Sequence, residues 1–252
     1  MKVFAHESCS DERGTLHKLQ RDTFEYFLKE SNRANAMVPD NTREGSHASI
    51  APIGFALTAH TIGVERGFIT RVEAIKRTLT TLRFFRDSEQ SEQADATGYK
   101  GFYYHLLHMD TGRRAWESEL STIDSTFLLA GILTSAANFD GDAPEEREIR
   151  SLAEELYARA DWQWALNAGE TVSMGWKPES GFLPHRWERY NEALILYVLA
   201  LASPTHPIPA ESYKAQTQTY CWKELYGQEF LYGGPLFIHQ PKAIMGSIRG
   251  RY

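Results

Sequence analysis

The chain has 252 residues, 42% hydrophobic and 24% charged, with 18 Gly, 10 Pro and a formal net charge of −6. That balance excludes wholesale disorder, collagen and coiled coil, and the length suits one generous domain with a sizeable core. A net negative charge without any dense Lys/Arg tract argues against nucleic acid or an anionic membrane as partner.

The first seven residues and the Ser-Cys-Ser-Asp-Glu-Arg that follows hold no apolar stretch of signal-peptide length. A cytoplasmic location is therefore expected, or a periplasmic one if an upstream segment is missing. Seven helices are predicted from apolar spacing. The first covers about residues 16–30, with Leu16, Leu19, Phe24, Phe27 and Leu28 on one face. The second covers about 48–62 and tolerates Pro52 if that residue lies in the first turn. The third opens on a Thr70–Glu73 capping box and carries a stripe of Val72, Ile75, Leu79, Leu82 and Phe85. The fourth runs from about Ser121 to Phe139, and the fifth from Pro144 to about Trp164. The sixth starts at Asn191 and holds the longest apolar run, to Ala202, far short of the roughly 18–20 residues of a membrane span. The seventh follows Pro209 and reaches about Leu225. Between these helices, residues 98–120 read as a hairpin turning at Asp110-Thr111-Gly112, and 171–190 form a second long connection. Connections of that length tend to be functional. Helices joined by elaborate alternate loops suggest a single mostly-α domain, either a solenoid or a closed toroid.

The candidate chemistry is acidic and aromatic. Arg113 to Asp124 and Trp187 to Glu192 each place carboxylates where a loop meets a helix. Glycoside hydrolysis needs two carboxyl groups across the scissile bond. Ser121 to Asp124 also fits a capping box, and Glu192 after Asn191 fits an acid that complements a helix dipole, so a purely structural role stays open at both junctions. The dipole favours the ionised carboxylate, which suits a general acid only if burial or a second carboxylate outweighs it. Six Trp, 12 Tyr and 13 Phe offer flat platforms for sugar rings, or are simply the aromatics of a large domain. Trp176, Phe182 and Trp187 divide in the same way between stacking and loop anchoring. Lys177 and Arg186 divide between substrate contact and surface ion pairs. Nine His show no metal-ligand spacing, and no phosphate-loop, dinucleotide or nucleophile-elbow pattern appears. Cys9 and Cys221 suggest neither a disulfide framework nor a zinc site, and a single bridge between them stays open.

Several longer words carry a resemblance. They are residues 19–27 (LQRDTFEYF), 48–51 (ASIA), 63–67 (GVERG), 98–105 (GYKGFYYH), 119–124 (ELSTID), 175–182 (GWKPESGF), 190–193 (YNEA) and 203–207 (SPTHP). In this order they resemble the glucoamylase-like domain family, which includes bacterial endo-β-1,2-glucanases and a domain of cyclic β-1,2-glucan synthases. The resemblance implies an all-α, glucoamylase-like (α/α)6 barrel, or toroid, with long loop and hairpin insertions. It implies hydrolysis of a glucan or gluco-oligosaccharide, most of all a β-1,2-glucan, with no metal or cofactor. Glu192 is then the best candidate for general acid, with Asp124 and Glu119 on the base side, directly or by positioning a water. Tyr99, Lys100, Trp116, Trp176, Lys177, Glu179, Phe182, Glu188 and Tyr190 would bind substrate. Linkage, stereochemistry and oligomeric state are not legible.

The resemblance also bears on organisation. Residues 1–15 read as an extension, 16–240 as the domain, and 241–252 as a tail unlike the family's continuation. Twelve helices are expected where seven are counted, so the barrel reads as incomplete, the tail as a frameshift product and the chain as truncated. The alternative to an active hydrolase is then an inactive carbohydrate-binding remnant, and after it a helical scaffold for protein partners.

Overall fold

The computed structural model describes residues 8–234 and Ile238, with side chains from Gly14 onward. The reading of residues 241–252 as a frameshifted tail lies outside these residues. Eight helices are present among them: α1 (Ser8–Lys29), α2 (Ile50–Glu65), α3 (Arg71–Asp87), α4 (Thr122–Asn138), α5 (Pro144–Arg159), α6 (Trp162–Leu166), α7 (Leu194–Leu201) and α8 (Ala210–Gln218). The boundary expected at residues 15 and 16 falls inside α1. None of these helices is long and apolar enough to cross a membrane.

Helices α2 and α4 form the centre. They are buried on most sides, and they meet where Gly54 faces Gly131, backbone against backbone. Helix α7 packs on the other side of α4, while α3 and α5 cover α2 and α4 from outside and touch each other. This inner layer wrapped by an outer one is the arrangement of an (α/α) barrel. Apolar stripes orient the outer helices, though less simply than their spacing predicts. In α3 the buried residues are Ala74, Thr78, Leu79, Thr81, Leu82 and Phe85, and Val72 is 78% exposed. In α1, Phe24 is buried while Leu16 and Leu19 are exposed, because α1 meets α2 mainly through its C-terminal half.

The loops carry more β structure than the sequence reading provides. Strands β1 (Ala48–Ser49) and β4 (Leu106–Leu107) pair antiparallel. Strands β2 (Gly98–Tyr99), β3 (Phe102–Tyr104), β5 (Leu120–Ser121), β6 (Gly175–Lys177) and β7 (Gly181–Phe182) form one antiparallel sheet in that order. The expected turn near 110–112 is present, with Gly112 N–H donating to the His108 carbonyl at 2.8 Å. However, residues 102–107 kink at His105, so β3 joins the sheet and β4 joins β1. Lys100 and Gly101 turn β2 into β3 with φ of 58° and 79°. A Cβ at Gly101 would also lie 2.4 Å from the Arg159 carbonyl carbon, so this turn sits directly on the end of α5.

Three helix ends differ from expectation. The fifth helix stops at Arg159 because the Asp161 N–H is taken by the Lys100 carbonyl and the Asp161 side chain caps a new helix at Trp164 N–H, 2.9 Å away. The sixth begins at Leu194 instead of Asn191. The Asn191 side chain accepts from Ala193 N–H and donates to the Glu188 carbonyl, which holds Glu192 in a turn before the helix. The seventh ends at Gln218. Residues 222–225 are a strand, β8 (Trp222–Leu225), paired with β9 (Gln228–Leu231) across a Tyr226-Gly227 turn in which both φ angles are positive. Cys221, just before β8, is exposed and free.

Candidate active site

Strand ends fix the backbone of the site. The His105 N–H donates to the Glu119 carbonyl at 2.9 Å, and the His105 carbonyl accepts from Ile50 N–H, the first residue of α2. The Thr122 N–H, first in α4, donates to the Met174 carbonyl. Helices α2 and α4 therefore start from neighbouring strand ends that His105 joins, side by side at one end of the fold. The buried Trp187 indole, in the segment leading to α7, donates to Thr122 Oγ1 at 2.9 Å.

At this end three side chains converge. His105 Nδ1 lies 3.1 Å from Glu119 Oε1, and its Nε2 lies 3.9 Å from Asp124 Oδ2. Ser121 caps α4: its Oγ accepts from Asp124 N–H at 3.2 Å and donates to Asp124 Oδ2 at 2.6 Å. The capping pattern expected from sequence is thus present, and it holds an acid that also faces a histidine. Gly175 makes room beside it. A Cβ there would lie 2.6 Å from the Leu120 carbonyl oxygen and 3.3 Å from Glu119 Cγ.

The environment drives the two carboxyls apart. Burial pushes Asp124 above the ordinary aspartate range, helped by the Glu119 and Asp40 charges and opposed by His105 and Ser121. Burial also pushes Glu119 up, but the His105 hydrogen bond and the charges of His105 and Lys177 outweigh it and bring Glu119 below its usual value. The hydrogen bond to Glu119, with the Asp124 charge, raises His105 against its own burial. One ligand atom from each of the three lies within 4.8 Å of the others, close enough to face one cation, although the hydrogen bonds above already engage them.

These directions fix a pH dependence. His105 is raised in the fold, so its contribution is fully present below the unfolded value of about 6.5 and is lost as pH rises through the folded value. Glu119 is lowered, so its contribution is present above about 4.3 and is lost as pH falls. Thermal unfolding of the wild type against His105→Gln is expected to show its largest difference at pH near 6 and a shrinking one towards pH 9. A gap that is constant across that range contradicts the network.

Of the other predicted residues, Lys177 faces Glu119 with its charge, Glu179 pairs with Arg114, and the rest fall into three groups. Trp116 is 73% exposed and stacks edge-on against His47 at 4.2 Å, in a groove of about 280 Å³ that also includes Asp40 and Leu106. Trp116 and Glu117 both hold left-handed backbone, φ 53° and 52°, an arrangement that surrounding structure must enforce. Tyr99, Trp176 and Phe182 form a second aromatic surface around Trp164, with ring centroids 4.7–5.9 Å apart. Lys100 flanks it, 3.6 Å from Asp161. Trp176 pairs with Leu120 across the sheet, one residue from Glu119. The third group lies before α7: Glu188 accepts from Thr171 Oγ1 at 3.2 Å, Tyr190 packs against Tyr220, and Glu192 is half-buried in the turn. Among the described residues no hydrogen bond or ion pair joins Glu192 to Asp124 or Glu119.

Glu179 has a structural assignment. Its carboxylate grips Arg114 in two bonds of 2.6 and 3.0 Å, and Arg114 stacks on Tyr104 with only 2% of its side chain exposed. Glu179→Gln leaves that guanidinium without its counter-charge. The expected cost is about 1–3 kcal/mol, below the full buried-pair value because Glu179 is itself 42% exposed. Urea unfolding reads it, and an unchanged midpoint contradicts it.

Sequence reasoning missed His105 as a site residue, although it ends the word GYKGFYYH. Its partners lie 14 and 19 residues away, and the one available signal is a lone imidazole interrupting a run of buried Tyr and Leu.

Comparisons with known proteins add to this geometry. A family model described as "Putative glucoamylase" matches residues 184–251. An exo β-1,2-glucooligosaccharide sophorohydrolase of Parabacteroides distasonis is 26% identical over 225 residues, covering 85% of this chain and 30% of that protein. A crystal structure of a Bacteroides uniformis protein bearing the same glucoamylase description superposes with a TM-score of 0.80 at 26% identity, over 92% of this chain and 57% of that one. The endo-β-1,2-glucanase of Chitinophaga pinensis superposes with a TM-score of 0.75 at 24% identity, over 89% of this chain and 58% of that one. The chain thus spans less than two thirds of the length of each of these relatives.

Proposed function

We propose that this chain, a glucoamylase-like domain related to the bacterial β-1,2-glucanases, is a glycoside hydrolase that cleaves β-1,2-linked glucan or gluco-oligosaccharide. The observation that carries the reading is the convergence of Glu119 and Asp124 on His105 where α2 and α4 begin. Hydrolysis needs carboxyl groups on both sides of the bond, roughly 6.5–9.5 Å apart when water attacks and about 5 Å apart when a carboxylate attacks. Ligand atoms of Glu119 and Asp124 lie within 4.8 Å, and both residues come from one strand–helix junction, so they serve one side of the bond. Glu192, in the turn opening α7 beside α4, is the acid for the other side.

The roles follow from the environments. Asp124, raised by burial, is the stronger base of the pair and takes a proton from the attacking water. Glu119, kept ionised by His105 and Lys177, accepts the water's second hydrogen bond and orients it. As the water oxygen bonds to the anomeric carbon and the glycosidic C–O bond breaks, Glu192 passes its proton to the leaving oxygen. Trp116 and the Tyr99–Trp176–Phe182 surface offer apolar platforms for uncharged sugar rings.

Incubation with linear β-1,2-, β-1,3- and β-1,4-glucans tests the substrate class. New reducing ends from the first and not the others are expected. Saturable binding without product would replace hydrolysis by carbohydrate binding.

A further inference from the structure

A separate pocket of about 190 Å³ lies between α2, α3 and the loop after α1, and none of its lining residues belongs to the acidic cluster. His60, on α2, is 4% exposed, and both of its ring nitrogens are buried without a hydrogen-bond partner among the described residues. A buried polar group left unpaired calls for a partner, an ordered water or a ligand, and among the described residues His60 is the one such group that lines this pocket. Burial, together with the Arg77 charge, pushes His60 down to about 3, so the ring is neutral and offers one donor and one acceptor.

The rest of the wall is cationic. Arg33, Lys76 and Arg77 line the pocket against a single carboxylate, Glu73. Among the described residues the Glu73 carboxylate accepts from Arg77 Nε alone, at 2.9 Å, and the two outer guanidinium nitrogens are unengaged. The Lys76 ammonium and the Arg33 guanidinium have no hydrogen bond or ion pair among those residues either. Three cations around one neutral imidazole form a donor-rich site, which suits a ligand with several acceptor oxygens and negative charge.

We propose that this pocket binds a small oxyanion of the phosphate class, with the His60 N–H and the Arg77 fork on its oxygens and Lys76 and Arg33 closing over it. The ligand is either a free phosphate or the phosphate of a small sugar ester; both present the same oxygens, and the volume admits both. Binding would also brace the 31–38 loop. That loop accepts Ser49 N–H on the Val38 carbonyl at 3.1 Å and leads into Asp40, whose charge reaches His105 and Asp124.

Calorimetric titration with inorganic phosphate and with glucose 6-phosphate, in chloride buffer of matched ionic strength, tests the site. Saturable one-to-one binding of at least one is expected, the tighter of the two identifying the source. Lys76→Gln and Arg33→Gln, both at exposed positions, are each expected to weaken binding about three- to tenfold. The His60 ring 15N resonances are expected to move on phosphate addition in the wild type. His60→Phe removes the unpaired nitrogens and is expected to fold and to lose most of the affinity; if it fails to fold, the two surface variants still decide. Absence of saturable binding by folded protein, or equal binding by the Lys76→Gln/Arg33→Gln double variant, overturns the proposal.

Discussion

Asp124→Asn is expected to lower turnover of β-1,2-glucan by about 10²- to 10⁴-fold, the range for losing a general base, without weakening the fold. Asn keeps a carbonyl oxygen for the Ser121 hydroxyl, and the Ser121 cap on the backbone N–H is untouched. Burial already disfavours the Asp124 charge, so neutralising it does not cost stability at neutral pH. The same change removes one of the charges that raise His105, while the larger effect, the hydrogen bond that His105 donates to Glu119, remains. NMR titration should therefore find the His105 value lower than in the wild type but still elevated. A variant inactive through unfolding would instead show a lower urea midpoint. Retention of more than about a tenth of the activity would mean that the base lies elsewhere.

Gly131→Ala is expected to destabilise the protein by at least about 3 kcal/mol, whereas Gly14→Ala, the same substitution in another helix, should stabilise it by about 0.5–1 kcal/mol. A Cβ at Gly131 would lie 2.2 Å from the Gly54 carbonyl oxygen, and one at Gly54 would lie 2.3 Å from that of Phe127. These are backbone atoms in the middle of two helices, so no side chain can swing aside and α2 and α4 must separate. Separation would move Ile50 and Thr122, whose N–H groups anchor the site strands, so Gly54→Ala should lose activity together with stability. At Gly14 no atom lies within 4 Å, and only the entropy of the glycine backbone changes. Thermal melts of the two variants against wild type decide it; equal small shifts would mean that the helix contact can relax.

Local signals were legible and long-range ones were not. Thr70 accepts from Glu73 N–H as its spacing predicts, Pro52 is the third residue of α2, and Ser121 caps α4. Each of these is decided by groups within four residues. Val72 fits an apolar stripe on α3 yet faces outward, because α3 is held between α2 and α5 and turns Ala74, Thr78 and Thr81 inward instead. The last expected helix fails at residues 222–225 because a Tyr-Gly turn, with glycine supplying only one of two positive φ angles, gives a weak hairpin signal. In the candidate site, the junctions holding Glu119, Asp124 and Glu192 could be read from acids before apolar runs. The role of His105 could not, since it depends on strands of two or three residues that pair across 16 or more residues.

Reducing-end release from linear β-1,2-glucan, measured for the wild-type chain beside Glu192→Gln, tests the central claim most directly. The account predicts release by the first and its loss in the second, with both folded and with equal melting profiles. Equal release by both, or none from a cooperatively folded wild type, would contradict it.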